Sequence, residues 1–224
     1  MLKKILLHNW LAIFYFNFRM LSFQQAIKLP FDFYYKIRFE NLTAKVILTN
    51  KNLYRGMIKI GGRGSEMFSR NETIIDLKGT LILKGVVEIG HGSLLRIEDS
   101  GIIVFGNHVR IGALSKIFCE ESIVFGNEID FSWECQIFDT NFHDVLNKET
   151  GDILKKTSPI NIGSNNWFGS RVSVMKRTKT PDNFIVASNS LCNNDYRNVH
   201  EYSVFGGIPA KQIDNAKERV FESH

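Results

Sequence analysis

An apolar residue recurs at every sixth position over much of the chain, and this period is the feature that most constrains the fold. A helix buries positions three and four apart and a flat strand buries every second position, so neither gives a strict six-residue period. Short strands joined by tight corners do give it, and glycine follows several of the apolar markers, where a corner needs a permissive backbone. The first series of markers is Phe105, Ile111, Ile117, Ile123, Ile129 and Cys135, and the second begins with Ile162, Phe168 and Val174.

These hexapeptides predict a three-sided, all-β coil. Each unit forms one side, so about 18 residues complete a turn, and successive turns stack at the spacing of β-strands. Weaker repeats extend the pattern toward the N-terminus, at Ile74, Leu81, Val87, Ile89 and Leu95. We therefore expect a prism over residues 56–205, with about six or seven coils.

Two polar residues interrupt the second series, which continues through Thr180, Val186, Cys192, Asn198 and Val204. Thr180 and Asn198 mark either a corner where the register shifts or a polar pair buried near the C-terminal end of the prism. The sequence leaves both possibilities open.

The six-residue register fails at residues 141–159. This segment is polar and rich in turn-forming residues, and the apolar markers resume directly after it. Long loops inserted into a rigid scaffold commonly carry function. We therefore expect a functional loop there, with His143 at its base.

An aromatic-rich arm precedes the prism, over residues 1–55, and a short segment follows it, over residues 206–224. We favour an arm that packs on the main domain or on a neighbouring subunit. Contact with a membrane surface is the alternative, because basic residues interleave with the aromatic rings as an interfacial segment requires. A signal peptide is not expected, since His8 and Asn9 interrupt the apolar run and no small-residue cleavage site follows it.

Charge and cysteine content limit the possible partners and the compartment. The 28 Lys and Arg residues outnumber the 23 Asp and Glu residues, which gives a formal charge of +5. This excess suits a partner with phosphate or carboxylate groups but does not indicate nucleic acid. The three cysteines lack CxxC spacing, so we expect neither a disulfide framework nor a zinc site, and a reducing cytoplasm is the expected location.

Three motifs together resemble the hexapeptide-repeat acyltransferases. They are Ile-Phe-Asp-Thr-Asn-Phe-His at residues 137–143, Pro-Ile-Asn-Ile-Gly at residues 159–163 with Trp167 after it, and Gly-Gly-Ile-Pro-Ala-Lys at residues 206–211. The resemblance is strongest to the sugar O-acetyltransferases of bacterial surface-polysaccharide biosynthesis, including capsule biosynthesis.

This resemblance implies a left-handed parallel β-helix, a homotrimer and an active site between adjacent prisms. It also implies acetyl-CoA as the donor and a sugar or glycan as the acceptor. His143 would be the general base, and imidazole suits that role because an alcohol needs help to lose its proton near neutral pH. A carboxylate would orient the imidazole, and Asp139 and Asp144 are the candidates, with Asp139 ranked first.

The resemblance also suggests where each substrate binds. Residues carried over to the donor side are Trp167, Gly169, Ser170, Ser188, Asn193, Asn194 and Lys211, with Lys211 placed to meet a phosphate of acetyl-CoA. Since these residues follow the loop in sequence, the acceptor should approach from the earlier coils. The acceptor candidates there are Gly61 to Ser65, Asn107 and Trp133.

Three other functions are weighed against sugar O-acetylation. N-acetylation of a nucleotide-linked amino sugar uses the same donor and a similar base. An inactive prism that serves as a scaffold or binding subunit is the non-enzymatic alternative. A zinc carbonic anhydrase of similar fold needs three converging histidines, and the six histidines of this chain lack the close spacing of that class, so no metal is expected.

Overall fold

Three parallel β-sheets form the walls of a triangular prism in the computed structural model, which describes residues 7–62 and 71–220. The chain passes from the first wall to the second and then to the third, and each such passage makes one coil. The second wall has seven strands, one for each complete coil. This is the coil that the six-residue period predicts.

The strands are short, as expected for a coil with three corners. The first wall contains β1 (Phe31–Phe33), β4 (Ile58–Gly62), β7 (Val87–Gly90), β10 (Val109–Ile111), β13 (Ile129–Phe131), β18 (Trp167–Phe168), β20 (Ile185–Val186), β22 (Val204–Gly206) and the antiparallel β23 (Lys211–Asp214). The second wall contains β2 (Ile37–Leu42), β5 (Thr73–Leu77), β8 (Leu94–Ile97), β11 (Lys116–Cys119), β14 (Gln136–Phe138), β19 (Ser173–Met175) and β21 (Leu191–Cys192). The third wall contains β3 (Lys45–Leu48), β6 (Thr80–Leu83), β9 (Ile102–Phe105), β12 (Ser122–Phe125) and β17 (Ile160–Ile162).

The predicted apolar markers point into the prism and stack on their equivalents in the next coil. Ile103 pairs with Ile123, and Ile117 pairs with Ile137, in parallel register. All of the markers from Phe105 to Cys135 are buried. The interior is therefore built from columns of like side chains, one column for each inward position of a wall.

Two markers of the prediction are one residue out of place. Ile75 is fully buried, whereas the predicted Ile74 is only half-buried. At the other end, Phe205 is buried and the predicted Val204 is half-buried. A one-residue difference exchanges the inside and the outside of a strand because side chains alternate between its two faces.

The two polar residues that interrupt the second series of markers lie in different environments. Thr180 is buried, and its hydroxyl donates a hydrogen bond of 2.7 Å to the amide oxygen of Asn166. Asn198 is exposed. Tyr196 is the buried side chain of that part of the chain, with its ring 5.1 Å from that of Phe205.

The three cysteines belong to the core, as small apolar residues do. Cys135 and Cys192 are fully buried members of the apolar columns. Burial raises the pKa of Cys135 to about 11 and that of Cys192 to about 12. Both thiols are thus protonated and unreactive near neutral pH.

The coil begins at Phe31, within the segment that the sequence suggested was an arm. Strands β1, β2 and β3 pair in parallel with β4, β5 and β6, and so form a first coil before residue 56. Ahead of this coil lie helix α1 (Trp10–Met20) and the short helix α2 (Phe23–Ala26). The ring of Phe16 in α1 packs against Phe31, Phe33 and Phe39, so α1 closes the N-terminal end of the prism.

A buried amide joins this helix to the first coil. The side chain of Asn17 is fully buried, and its Nδ2 donates to the carbonyl oxygens of Ile13 and Phe31, each at 2.8 Å. Its Oδ1 accepts from the backbone N–H of Phe31 at 3.1 Å. Asn17 thereby satisfies the outward backbone groups of Phe31 in β1, which has no earlier coil to pair with. The carbonyl of Phe33 in the same strand accepts from the backbone N–H of Asn9 at 2.8 Å.

The substitution Asn17→Ala is expected to lower the free energy of unfolding by about 2–4 kcal/mol, because it leaves buried backbone groups of Phe31 without partners. Urea unfolding followed by circular dichroism measures the change. Gln24→Ala, at an exposed position of α2, is the control and should leave the midpoint nearly unchanged. Equal midpoints for the two variants would contradict this role of Asn17.

Candidate active site

The predicted loop is present, and its base is firmly held. The backbone N–H of Asn141 donates to the carbonyl of Lys156 at 2.8 Å, and Thr140 and Thr157 form an antiparallel bridge. Beyond this base, β15 (Val145–Leu146) and β16 (Ile153–Leu154) form a hairpin. The loop is thus an ordered projection of the fifth coil.

Phe142 fixes the part of the loop that carries His143. Its backbone has φ of 65°, in the left-handed region, and its N–H donates to the hydroxyl of Thr140 at 2.9 Å. Its ring centroid lies 4.8 Å from that of Phe118 and 5.8 Å from that of Phe138, on the outer surface of the second wall. The backbone that carries the next residue, His143, is therefore fixed in position.

His143 itself is exposed to solvent. Within residues 7–62 and 71–220, its imidazole makes no hydrogen bond. A ring that is held at its backbone but free at both nitrogens can exchange a proton with a bound substrate.

Asp139 does not orient this imidazole, which corrects the first candidate for that role. Its fully buried carboxylate points into the prism and accepts hydrogen bonds from the backbone N–H groups of Glu120, Glu121 and Ser122, at 2.7 to 2.8 Å. Three backbone donors occupy both of its oxygens. Asp139 holds the turn between β11 and β12.

Asp144 is exposed and lies within the loop. Its Oδ1 accepts from the backbone N–H of Lys156 at 2.8 Å. This contact supports the hairpin, and no hydrogen bond joins Asp144 to His143 among the residues that the structure describes. The described part of one chain thus provides no carboxylate partner for His143.

Trp167 lies on the outer side of the first wall, in β18. Its indole Nε1 donates to the hydroxyl of Ser132 at 3.4 Å, and the guanidinium of Arg219 lies 5.4 Å from its ring centroid. Arg219 also forms an ion pair with Asp130. The indole is half-buried, with the C-terminal segment passing over it.

Three further residues of the predicted donor side meet at the neighbouring corner. The backbone N–H of Ser170 donates to the hydroxyl of Ser188 at 3.1 Å. A side chain at Gly169 would come within 2.6 Å of the backbone nitrogen of Ser188, so glycine is required by close packing of two coils. Trp167, Gly169, Ser170 and Ser188 therefore form one compact group.

These residues and His143 lie on different corners of the prism. We call the corner between the first and second walls the Trp167 corner; it includes residues 132–135, 169–172 and 187–190. We call the corner between the second and third walls the His143 corner; it includes residues 139–159, 176–178 and 193–194. Within one chain, the width of the second wall separates the two groups, and the structure does not bring them together.

The remaining predicted residues are divided between these regions. Asn193 and Asn194 are exposed on the His143 corner, two coils beyond the loop. Lys211 is exposed in β23, at the C-terminal end of the first wall. All three side chains are open to solvent.

The acceptor candidates also differ in their surroundings. Gly61 and Gly62 end β4, and residues 63–65 lie outside the described residues. Asn107 lies at the third corner, between the third and first walls. Its Oδ1 accepts from the backbone N–H of Val86 at 2.9 Å. Trp133 is half-buried on the Trp167 corner.

A basic cluster that the sequence analysis missed lies beside the loop. Lys176 and Arg177 follow β19 on the His143 corner, one coil beyond His143. Lys179 lies next to this corner, where it pairs with Asn161 of the third wall. Lys176 donates to the carbonyl of Lys155 in the loop, and Lys179 lies 3.8 Å from Asp195. Arg177 is exposed and has no ion pair within the described part of the chain. The run Lys-Arg-Thr-Lys was a visible signal for an anion site.

A pocket of about 300 Å³ opens on the first wall near the N-terminal end. Its lining includes Tyr34, Lys59, Glu88 and Arg110, together with glycines at the ends of first-wall strands. Lys59 and Glu88 form an ion pair at 2.7 Å. Among the described residues, no group of three or more histidine, cysteine or carboxylate side chains is placed to hold a metal ion.

Comparison with known proteins finds that this chain is similar to acetyltransferases. No family model matches the chain. A probable acetyltransferase of Mycobacterium tuberculosis is 26% identical over 185 residues, which make up 81% of this chain and 58% of that protein. The chain thus spans less than two thirds of the length of this curated relative.

Solved structures extend the comparison to the fold. The polySia-specific acetyltransferase NeuO has a TM-score of 0.51 at 18% identity, over 86% of this chain and 90% of that chain. The polysialic acid O-acetyltransferase OatWY has a TM-score of 0.43 at 16% identity, over 84% and 89%. The likeness to NeuO confirms the expected left-handed parallel β-helix.

The substitution Asp139→Asn is expected to lower the free energy of unfolding by about 2–4 kcal/mol, since an amide replaces the charged acceptor of three backbone N–H groups. Thermal or urea unfolding measures the loss. Asp144→Asn is the matched control, because its exposed carboxylate accepts one backbone hydrogen bond, and its cost should stay below about 1 kcal/mol. Full stability of the Asp139 variant with impaired turnover would instead restore Asp139 as the orienting residue.

Proposed function

We propose that this chain transfers the acetyl group of acetyl-CoA to a hydroxyl of a sugar in a bacterial surface polysaccharide or its precursor. The observation that carries the proposal is the exposed imidazole of His143 on a clamped loop, directly beside a cationic corner of the prism. The fold shared with NeuO and the similarity to a probable acetyltransferase support the reaction type.

His143 acts as the general base in this proposal. A sugar hydroxyl is too weakly acidic to attack a thioester unaided, so the imidazole takes its proton as the new C–O bond forms at the acetyl carbonyl. The C–S bond then breaks, and the imidazolium returns the proton to the departing sulfur. His143 thus ends in its starting state, and the products are the acetyl ester and the free thiol.

The basic cluster on the His143 corner supports binding of an anionic donor. Acetyl-CoA carries phosphate groups, and the exposed guanidinium of Arg177 can hydrogen-bond a phosphate through two N–H groups. We assign Arg177, Asn193 and Asn194 to the donor site on this corner. Trp167, Gly169, Ser170, Ser188 and Lys211 are assigned to its other side.

These two groups can share one site only if two chains supply it. His143 projects from one corner, whereas Trp167 and its neighbours lie on another, so a second prism must bring its Trp167 corner to the loop. The hairpin offers apolar contact surface for such a neighbour, because Val145, Leu146, Ile153 and Leu154 are all exposed in the single chain. We propose a homotrimer, in which cyclic symmetry makes three equivalent sites.

The acceptor is assigned to the earlier coils. The pocket near β4 and β7 combines aromatic rings with paired charges, a lining that suits the faces and hydroxyls of a sugar ring. Its position on the Trp167 corner, ahead of the donor residues, agrees with the polarity expected from the sequence.

The substitution His143→Ala is expected to lower the acetyl-transfer rate by about 10²- to 10⁴-fold, the usual effect of losing a general base. Release of thiol from acetyl-CoA in the presence of surface glycan measures the rate, and a hydroxylamine-labile product distinguishes an ester from an amide. His200→Ala removes another exposed histidine and should leave the rate unchanged. Turnover near the native rate in the His143 variant would exclude it as the base.

Mixed trimers test whether two chains share the site. His143→Ala and Trp167→Ala subunits are each expected to form trimers of low activity. When equal amounts are unfolded and refolded together, about a quarter of the sites should carry both native residues, because each site takes one residue from each of two chains. Activity should therefore rise toward that fraction of the native value. No gain in trimers whose mixed composition is verified by mass spectrometry would place both residues in a site within one chain.

A further inference from the structure

We propose that the outer face of α1 and α2 binds the surface of a membrane that contains anionic lipid. We call this face the outer helical face, and it consists of Leu11, Phe14, Tyr15, Phe18, Phe23 and Ile27. All six side chains are exposed, with Leu11 at 85% and Phe23 at 72%. A patch of six large, exposed apolar side chains on one surface indicates an interaction site.

Helix α1 is apolar on both of its sides. Its inner side buries Ala12, Ile13 and Phe16 against the first coil. Its outer side carries Leu11, Phe14, Tyr15 and Phe18, at the spacing of three, four and seven residues that places side chains in one stripe. Packing on the prism uses the inner stripe and one side of Tyr15, whose ring centroid lies 5.8 Å from that of Phe39. The rest of the outer stripe needs a different partner.

The position of the helix keeps most of this stripe clear of the coils that the structure describes. Phe16 contacts Phe31 and Phe33 on the first wall and Phe39 on the second wall, so α1 lies across the end of the first coil. All later coils stack on the opposite side of that coil. The outer helical face therefore points away from the prism, at one end of the molecule.

The charges around the face select an anionic partner. Arg19 and Lys28 are exposed beside it, and Lys3 and Lys4 precede it in the sequence. Residues 1–31 contain no aspartate or glutamate. Apolar side chains bordered by basic ones fit the boundary between acyl chains and anionic headgroups, where both contributions add.

The helix is suited to lie in the membrane surface. No helix in the described part of the chain is long and apolar enough to cross a bilayer. With 11 residues, α1 can bury its outer stripe while its inner stripe stays on the prism. The aromatic rings of Phe14, Tyr15 and Phe18 suit this depth, because aromatic side chains favour the interface.

Vesicle cosedimentation with the full-length chain tests the proposal. Vesicles made of equal parts phosphatidylglycerol and phosphatidylcholine should bind the native chain, and vesicles of phosphatidylcholine alone should bind it more weakly. The double variant Leu11→Ser and Phe23→Ser should lower the affinity by about tenfold or more, since it removes the two most exposed apolar side chains of the face. Arg19→Glu with Lys28→Glu should weaken binding most at low salt.

The control for apolar content is a double variant in the C-terminal segment, away from the outer helical face. Ile213→Ser with Val220→Ser changes two exposed aliphatic side chains, 62% and 86% exposed, and should bind vesicles like the native chain. Circular dichroism and sedimentation must show native folding and assembly for every variant.

Three results would overturn the proposal. The first is no binding of the native chain to the anionic vesicles at low salt. The second is equal binding by the native chain and the Leu11 and Phe23 double variant. The third is a change of oligomeric state in that variant, which would identify the face as a contact between protein chains. Each result is independent of acetyl transfer, so failure here leaves the proposed reaction untouched.

Discussion

Stacking of like side chains inside the prism is the constraint on which the rest of the structure depends. The interior is narrow, so each coil must place one side chain directly above its equivalent in the coil below. Phe105 and Phe125 stack with centroids 4.9 Å apart and planes at 2°, and Phe131 and Phe168 stack at 4.0 Å and 1°. Because hydrogen bonds between coils fix the same spacing, backbone pairing and side-chain packing stabilise one register.

This construction leaves only the corners and walls for chemistry. Inward positions are mostly apolar, and the buried polar side chains of Asp139 and Thr180 have hydrogen-bond partners. Functional groups can therefore vary on the outside without disturbing the columns. The loop at His143 leaves and rejoins the prism at one corner, and the columns continue across the gap through the pairing of Ile123 with Ile160.

The sequence was sufficient to predict the columns because their period is independent of distant contacts. The first coil was missed since aromatic residues crowd residues 31–39 and hide the period. Asp139 was misplaced although the signal was present: Ile137 points inward, and side chains alternate along a strand, so Asp139 points inward as well. Alternation along the strand predicts the orientation of Asp139 better than its short distance from His143 in the sequence does.

The corners that carry His143 and Trp167 could not be predicted. The loop interrupts the count of six between them, so the sequence does not show on which corner the chain resumes. The outer helical face is a similar case. A helix that is apolar on two sides gives no sign of which stripe meets the prism. The ring of Phe16 among the aromatic residues of the first coil and the hydrogen bonds of Asn17 to Phe31 decide it.

The two ends of the prism are closed by different means, so they present different surfaces. A parallel coil exposes unpaired backbone at both ends, which invites pairing with other chains. At the C-terminal end, antiparallel β23 covers β22, and the chain then returns over the first wall to Arg219. At the N-terminal end, α1 and the amide of Asn17 cover the edge of β1. A helix satisfies its own backbone, so it can offer an apolar outer face where a strand would offer hydrogen-bonding groups. The outer stripe of α1 can thus meet an apolar surface without exposing unpaired backbone groups of the helix interior.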